Sequence, residues 1–161
     1  MNKNPARQLT LIALLTFALD QLSKHWLLYD VGMIARPPIV VTDFFSLVMV
    51  WNKGVSFGMF SRMGHDFMPM ALTVMALVIS AILARLALTT EKRFERIAYA
   101  MVIGGALGNA LDRIRFGAVA DFFYFHIGDL GWPAFNVADS AICIGVSLLL
   151  LTLFRNSKVA A

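Results

Sequence analysis

Apolar positions along the chain gather into four stretches, approximately 9–28, 67–88, 97–113 and 137–154, each approaching the roughly 20 residues a helix needs to cross a hydrocarbon core. Polar residues concentrate between them. The segment joining the first two stretches is too long for a simple connection and predicts structure of its own. Pro37-Pro38 punctuates it, and Ile39-Val40-Val41 and residues 44–51 are rich in the β-branched and aromatic residues that strands favour. Asn52-Lys53-Gly54 then reads as a turn before Val55-Ser56-Phe57-Gly58, so a small antiparallel sheet is expected at about 36–60. A second interval, about 116–135, carries Phe122, Phe123, Tyr124, Phe125 and Trp132 and predicts an aromatic loop lying against the headgroups. The expected fold is mainly α and integral to the membrane: four transmembrane helices and a small extracytoplasmic antiparallel β-sheet, in one domain over 1–161.

Composition agrees with that pattern. With 161 residues, 59% of them hydrophobic and 15% charged, the chain is too apolar for a water-soluble domain of its size. The first stretch follows Lys3 and Arg7 as a secretory signal would, but no small-x-small cleavage site follows it and three more stretches do, so it reads as a retained anchor. An even number of crossings puts both termini on one side. Lys3, Arg7, Arg85, Lys92, Arg93, Arg96, Arg155 and Lys158 then share that side, which is assigned to the cytoplasm. Orientation therefore accounts for the net charge of +4 better than a nucleic-acid partner does. Glu91 and Glu95 fall on the cytoplasmic side, whereas the eight aspartates lie on or towards the outer one, where any chemistry is expected. The single cysteine, Cys143, excludes disulfides and cysteine-rich metal sites.

In such a chain an ionised side chain in or near lipid costs about 2–4 kcal/mol and is by default a functional-site candidate. Asp121, in Val-Ala-Asp-Phe, and Asp139, in Phe-Asn-Val-Ala-Asp-Ser, both sit beside apolar stretches. Two carboxylates held close share a proton, so one can act as base towards water while the other acts as acid. Each also has an ordinary reading: Asp121 as a solvated loop acid, Asp139 as the N-cap of the fourth helix, with Asn136 three residues before it. In the third stretch Ala100, Gly104, Gly108 and Asp112 recur every four residues as a small-residue stripe ending in an acid. That stripe is either a plain helix contact or, with Asn109 and Arg113 beside Asp112, the edge of a polar site. Thr16, Asp20 and Lys24 share the spacing, and a rise of about 1.5 Å per residue brings Asp20 to the depth expected of Asp112. The Asp20–Lys24 pair either positions its helix or organises the site. His25, His65 and His126 are scattered without ligand spacing, and neither a nucleophile elbow nor a Walker lysine occurs, so no metal or cofactor is expected. A proton-coupled carrier or an assembly subunit would also use membrane aspartates, but these acids crowd one end and no internal repeat is evident.

Taken in order, Asp20-Gln21-x-x-Lys24, Trp51-Asn52-x-Gly54-x-x-Phe57-Gly58, Gly108-Asn109-x-x-Asp112-Arg113, Val119-x-Asp121-Phe122 and Phe135-Asn136-x-Ala138-Asp139-Ser140 closely resemble the lipoprotein signal peptidases, the type II signal peptidases of bacteria. The resemblance implies an aspartic endopeptidase of the bacterial inner membrane, with Asp121 and Asp139 as its catalytic dyad. Its substrate would be a prolipoprotein whose cysteine carries a diacylglyceryl group, cut on the N-terminal side of that cysteine. By the same resemblance Asn52, Gly54, Asn109, Arg113 and Asn136 line the site, and Asp20 and Lys24 are a helix pair that organises it together with Asp112. It further implies membrane lipid as a partner and a periplasmic site, in keeping with the cytoplasmic termini and the absence of a nucleic-acid partner read from the charges. Because every proposed group comes from one chain, a monomer is expected.

Overall fold

The computed structural model describes residues 4–54, 67–128 and 130–157. Its elements run α1 (Pro5–His25), a π-helical turn (Trp26–Asp30), β1 (Ile39–Thr42), β2 (Phe45–Asn52), α2 (Phe67–Thr89), α3 (Arg93–Phe116), β3 (Val119–Ile127), β4 (Leu130–Gly131) and α4 (Val137–Ser157). Local chemistry sets several of these boundaries. Asn4 caps α1, its side chain accepting from the Ala6 amide at 3.0 Å with Pro5 already in the first turn. Gly117 ends α3 in the left-handed region at φ 69°, its N–H returning to the Arg113 carbonyl. Between α2 and α3 the Arg96 guanidinium donates to the carbonyls of Ala87 and Thr90, satisfying the end of α2, and to Gln8 of α1.

α3 is the central helix, in contact with α1, α2 and α4. Its glycines make that possible by leaving no room for a side chain. A Cβ at Gly104 would run into the Ala13 carbonyl and Thr16 of α1, one at Gly105 into the Ala138 carbonyl of α4, and one at Gly108 into the Asp20 carboxylate. Gly145 of α4 does the same against Ala98 and Val102. Polarity is inverted relative to a water-soluble bundle. Thr16, Asp20, Lys24, Thr73, Ser80, Asn109 and Asp112 face inward, while Leu15, Leu22, Met70, Val78 and Leu153 point outward and exposed. Two helices, Phe67–Thr89 and the 137–154 portion of α4, are long and apolar enough on their own to cross a membrane. α1 and α3, which carry the inward charges, fall short of that measure.

The strands form one antiparallel sheet in the order β1-β2-β3-β4. β1 and β2 are joined by a short turn at Asp43-Phe44, and β2 pairs with β3 across a register shift that sets Val50 opposite Asp121 and Asn52 opposite Val119. Beneath the sheet Leu27, Leu28, Met33, Ala120 and Phe122 form a core, into which the π-helical turn feeds Leu27 and Leu28. A second core of Leu9, Ala87, Ala100 and Ile103 lies among the helices.

The interval 116–135 differs from its expectation as a loop: β3 and β4 occupy much of it, and the sheet therefore draws on two distant parts of the chain. The expected strand at 55–58, on the far side of the Asn52-Lys53-Gly54 turn, lies outside the described residues.

Candidate functional site

Five elements meet where α3 gives way to β3, each for a local reason. β3 leaves α3 after the Gly117 cap and carries Asp121 inward, 1% exposed. α4 begins with a reciprocal cap: the Asn136 Oδ1 accepts from the Asp139 amide at 2.9 Å, and the Asp139 Oδ2 accepts from the Asn136 amide at 3.3 Å. The cap residue is thus Asn136, and Asp139 sits one turn inside, with its Oδ1 accepting from Asn109 at 2.7 Å.

Asn136 also joins the two acids. Its Nδ2 donates to the Asp121 Oδ1 at 2.7 Å while its backbone amide donates to Asp139. The second oxygen of Asp121 accepts from the Asn52 Nδ2 at 3.0 Å. Three carboxamides, Asn52, Asn109 and Asn136, therefore aim their N–H groups at the two carboxylates. None of them can turn over. The oxygen of Asn52 is held by the Gly54 amide at 2.8 Å, that of Asn136 by the Asp139 amide, and that of Asn109 by the Lys24 ammonium at 3.1 Å, and each of these partners can only donate. Gly54 serves this arrangement at φ 80°, a left-handed conformation that other residues rarely adopt.

Beneath the acids lies a buried charged cluster. Lys24 is 2.8 Å from the Asp20 carboxylate and 2.7 Å from that of Asp112, and Gln21 donates to both at 3.1 Å. Arg113 turns its Nη1 towards the Asn109 carbonyl at 3.4 Å, and its Nε has no hydrogen-bond partner among the described residues. The field there is strong enough to alter proton affinity. Burial, reinforced by the negative charge of Asp139, pushes the Asp121 carboxyl up to about 6, against the pull of the Asn52 and Asn136 hydrogen bonds and of Lys24. No group of His, Cys, Asp and Glu able to hold a metal occurs among the described residues.

The structure thus brings together Asp121, Asp139, Asn52, Gly54, Asn109 and Asn136, with Asp20, Lys24 and Asp112 directly below and Arg113 at the side. Two participants stood in the sequence only as members of motifs, without a role of their own. Gln21 bridges Asp20 and Asp112, and its place beside Asp20 was the available signal. Gly108 clears the space the Asp20 carboxylate fills, a role hidden within the small-residue stripe.

A family model described as signal peptidase (SPase) II matches residues 12–155. A lipoprotein signal peptidase of Beijerinckia indica subsp. indica is 42% identical over 151 residues, which cover 92% of this chain and 88% of that protein. One of Azoarcus sp. strain BH72 is 44% identical over 150 residues, 91% of this chain and 82% of that protein. Among solved structures the chain is similar to a bacterial membrane enzyme determined in meso at 2.3 Å, with a TM-score of 0.75 and 25% identity across 92% of this chain and 88% of that one. A second bacterial membrane enzyme, determined in the same way at 1.9 Å, has a TM-score of 0.74 and 27% identity across 90% and 91%.

Proposed function

Because the chain belongs to the signal peptidase (SPase) II family of membrane proteases, we propose that it removes signal peptides from bacterial prolipoproteins by an aspartic mechanism centred on Asp121 and Asp139. The observation that carries this reading is the double grip of Asn136, whose side chain binds one carboxylate and whose backbone binds the other. That grip ties both acids to a single residue, and in the proposed reaction they share one water.

In the proposed reaction Asp139 is the ionised base. It lies in the first turn of α4, where the helix dipole favours negative charge, and accepts from Asn109. Asp121 holds the shared proton, in keeping with a carboxyl raised to about 6. Asp139 takes a proton from the water as its oxygen attacks the scissile carbonyl, while Asp121 hydrogen-bonds the carbonyl oxygen and stabilises its developing charge. Collapse of the tetrahedral intermediate breaks the C–N bond, and the proton on Asp139 passes to the departing amine. Asn52 and Asn109 hold the carboxylates in register, and the unpartnered Nε of Arg113 is a donor for the substrate backbone.

The substrate in this reading is a diacylglyceryl-modified prolipoprotein, cleaved on the N-terminal side of the lipidated cysteine. Its acyl chains remain in the bilayer and carry the cysteine to the depth of the acids. Four helices cross the inner membrane with both termini in the cytoplasm and the site at the periplasmic face, and one chain suffices. The outward-facing leucines of α1 support its crossing despite the charges on its inner face.

The test uses the purified protein in detergent with diacylated and non-lipidated forms of one precursor. Cleavage of the diacylated form alone is expected, with Asp121→Asn and Asp139→Asn each slowed by roughly 10²–10⁴-fold or more. Undiminished cleavage by either folded variant would remove the dyad from the mechanism.

A further inference from the structure

The buried cluster below the acids grips the backbone at two places. Asp112 Oδ2 accepts from the Ala120 amide at 3.2 Å, and Asp20 Oδ1 accepts from the Ala138 amide at 2.9 Å. Ala120 immediately precedes Asp121, and Ala138 immediately precedes Asp139. Lys24 joins the two grips through its contacts with Asp20 and Asp112, and its third N–H is directed to Asn109. An ammonium has three donors, and all three are used. Lys24, Asp20 and Asp112 are at most 3% exposed, so solvent does not weaken the link.

We propose that Lys24 is a positioning residue for the Asp121–Asp139 pair: by clamping Asp20 to Asp112 it fixes the distance between the β3 and α4 backbones from which the two acids project. The inference rests on the functional reading above and assigns the cluster a task distinct from holding helices together. Without the ammonium, two buried carboxylates face each other with only Gln21 between them, and the ion-pair link between the two grips is lost. Ala120 and Ala138 are then no longer held at one separation.

The charged groups around Lys24 are Asp20 on its own helix, Asp112 and Arg113 of α3, Asp121 of β3 and Asp139 of α4. Loss of Lys24 removes a positive charge that favours the ionised form of Asp121, which makes the first proton harder to remove, so the acid limb of the kcat profile moves to higher pH.

The experiment compares wild type, Lys24→Met, Lys24→Met/Asp112→Asn and Asp20→Asn on the diacylated precursor, with kcat expressed per folded molecule. Lys24→Met is expected to lose at least a hundredfold in kcat, with KM within threefold and the acid limb displaced upward. In the double variant the carboxamide that replaces the Asp112 carboxylate still accepts from Ala120 and no longer repels Asp20, so at least tenfold of the loss is expected to return. Folded Lys24→Met with wild-type kcat and pH profile, or a double variant no faster than the single one, would overturn the proposal. Should Lys24→Met fail to accumulate, Asp20→Asn, which retains one ion pair, decides: a fall of at least fivefold in kcat with KM within threefold supports the clamp, and wild-type kcat overturns it. Asp121→Asn is run alongside. If wild type leaves the precursor intact, or Asp121→Asn cuts it, the functional reading fails irrespective of the Lys24 result.

Discussion

At Asn136 two duties that commonly fall to different residues coincide, since the side chain that starts α4 also supplies a hydrogen bond to Asp121. Removing it with Asn136→Ala is expected to cost about 1–2 kcal/mol from the lost cap and to leave the buried Asp121 with one donor fewer. Thermal unfolding in detergent measures the first effect and turnover the second. The raised proton affinity of Asp121 has its own signature in stability. Its folded-state value of about 6 lies above that of an unfolded aspartate, so stability is fully present at low pH and declines as pH rises through the folded value. Relative to Asp121→Asn, the native protein is expected to lose on the order of 3 kcal/mol between about pH 4 and pH 6 and little more above. Unfolding midpoints of both proteins across that range check it, and a constant difference would contradict it. Asp121 and Asp139 could be singled out from sequence because carboxylates beside apolar stretches are rare. The amide orientations could not, because each depends on a donor brought in by folding: Gly54 through a left-handed turn and Lys24 from another helix.

Among the elements, α3 shows how glycines at regular spacing become specific once neighbours are in place. Gly108→Ala would press a methyl group into the Asp20 carboxylate and is expected to cost about 1–3 kcal/mol while disturbing the contacts of Lys24. Gly117→Ala meets no neighbour and is expected to cost only the left-handed backbone penalty of about 1–2 kcal/mol. Comparison of the two unfolding curves separates collision from conformation. The helices were legible because long apolar runs need little else. β3 was not, and burial explains why. Its first four residues, Val119 to Phe122, are all buried, so the strand shows no alternation of polar and apolar positions, and its later aromatics read as an interfacial loop. The β2–β3 pairing joins residues far apart in the chain, a relation no local pattern encodes.

For the whole molecule, the outward apolar surface and the inward polar cluster state one requirement from two sides. Val78→Lys, at an exposed position midway along α2, is expected to reduce the membrane-integrated fraction, since a lysine at the centre of a crossing helix costs about 2.5–3.5 kcal/mol. Alkaline extraction of membranes reads the outcome, and full retention of the variant would argue against α2 facing lipid. The order of the elements has a further effect. Asp139 and Asn136 belong to the start of α4, whereas Asn52, Asn109 and Asp121 precede it. A chain without α4 therefore lacks one acid of the proposed pair together with the side chain that holds the other, so in the proposed reaction cleavage would await the placing of that helix.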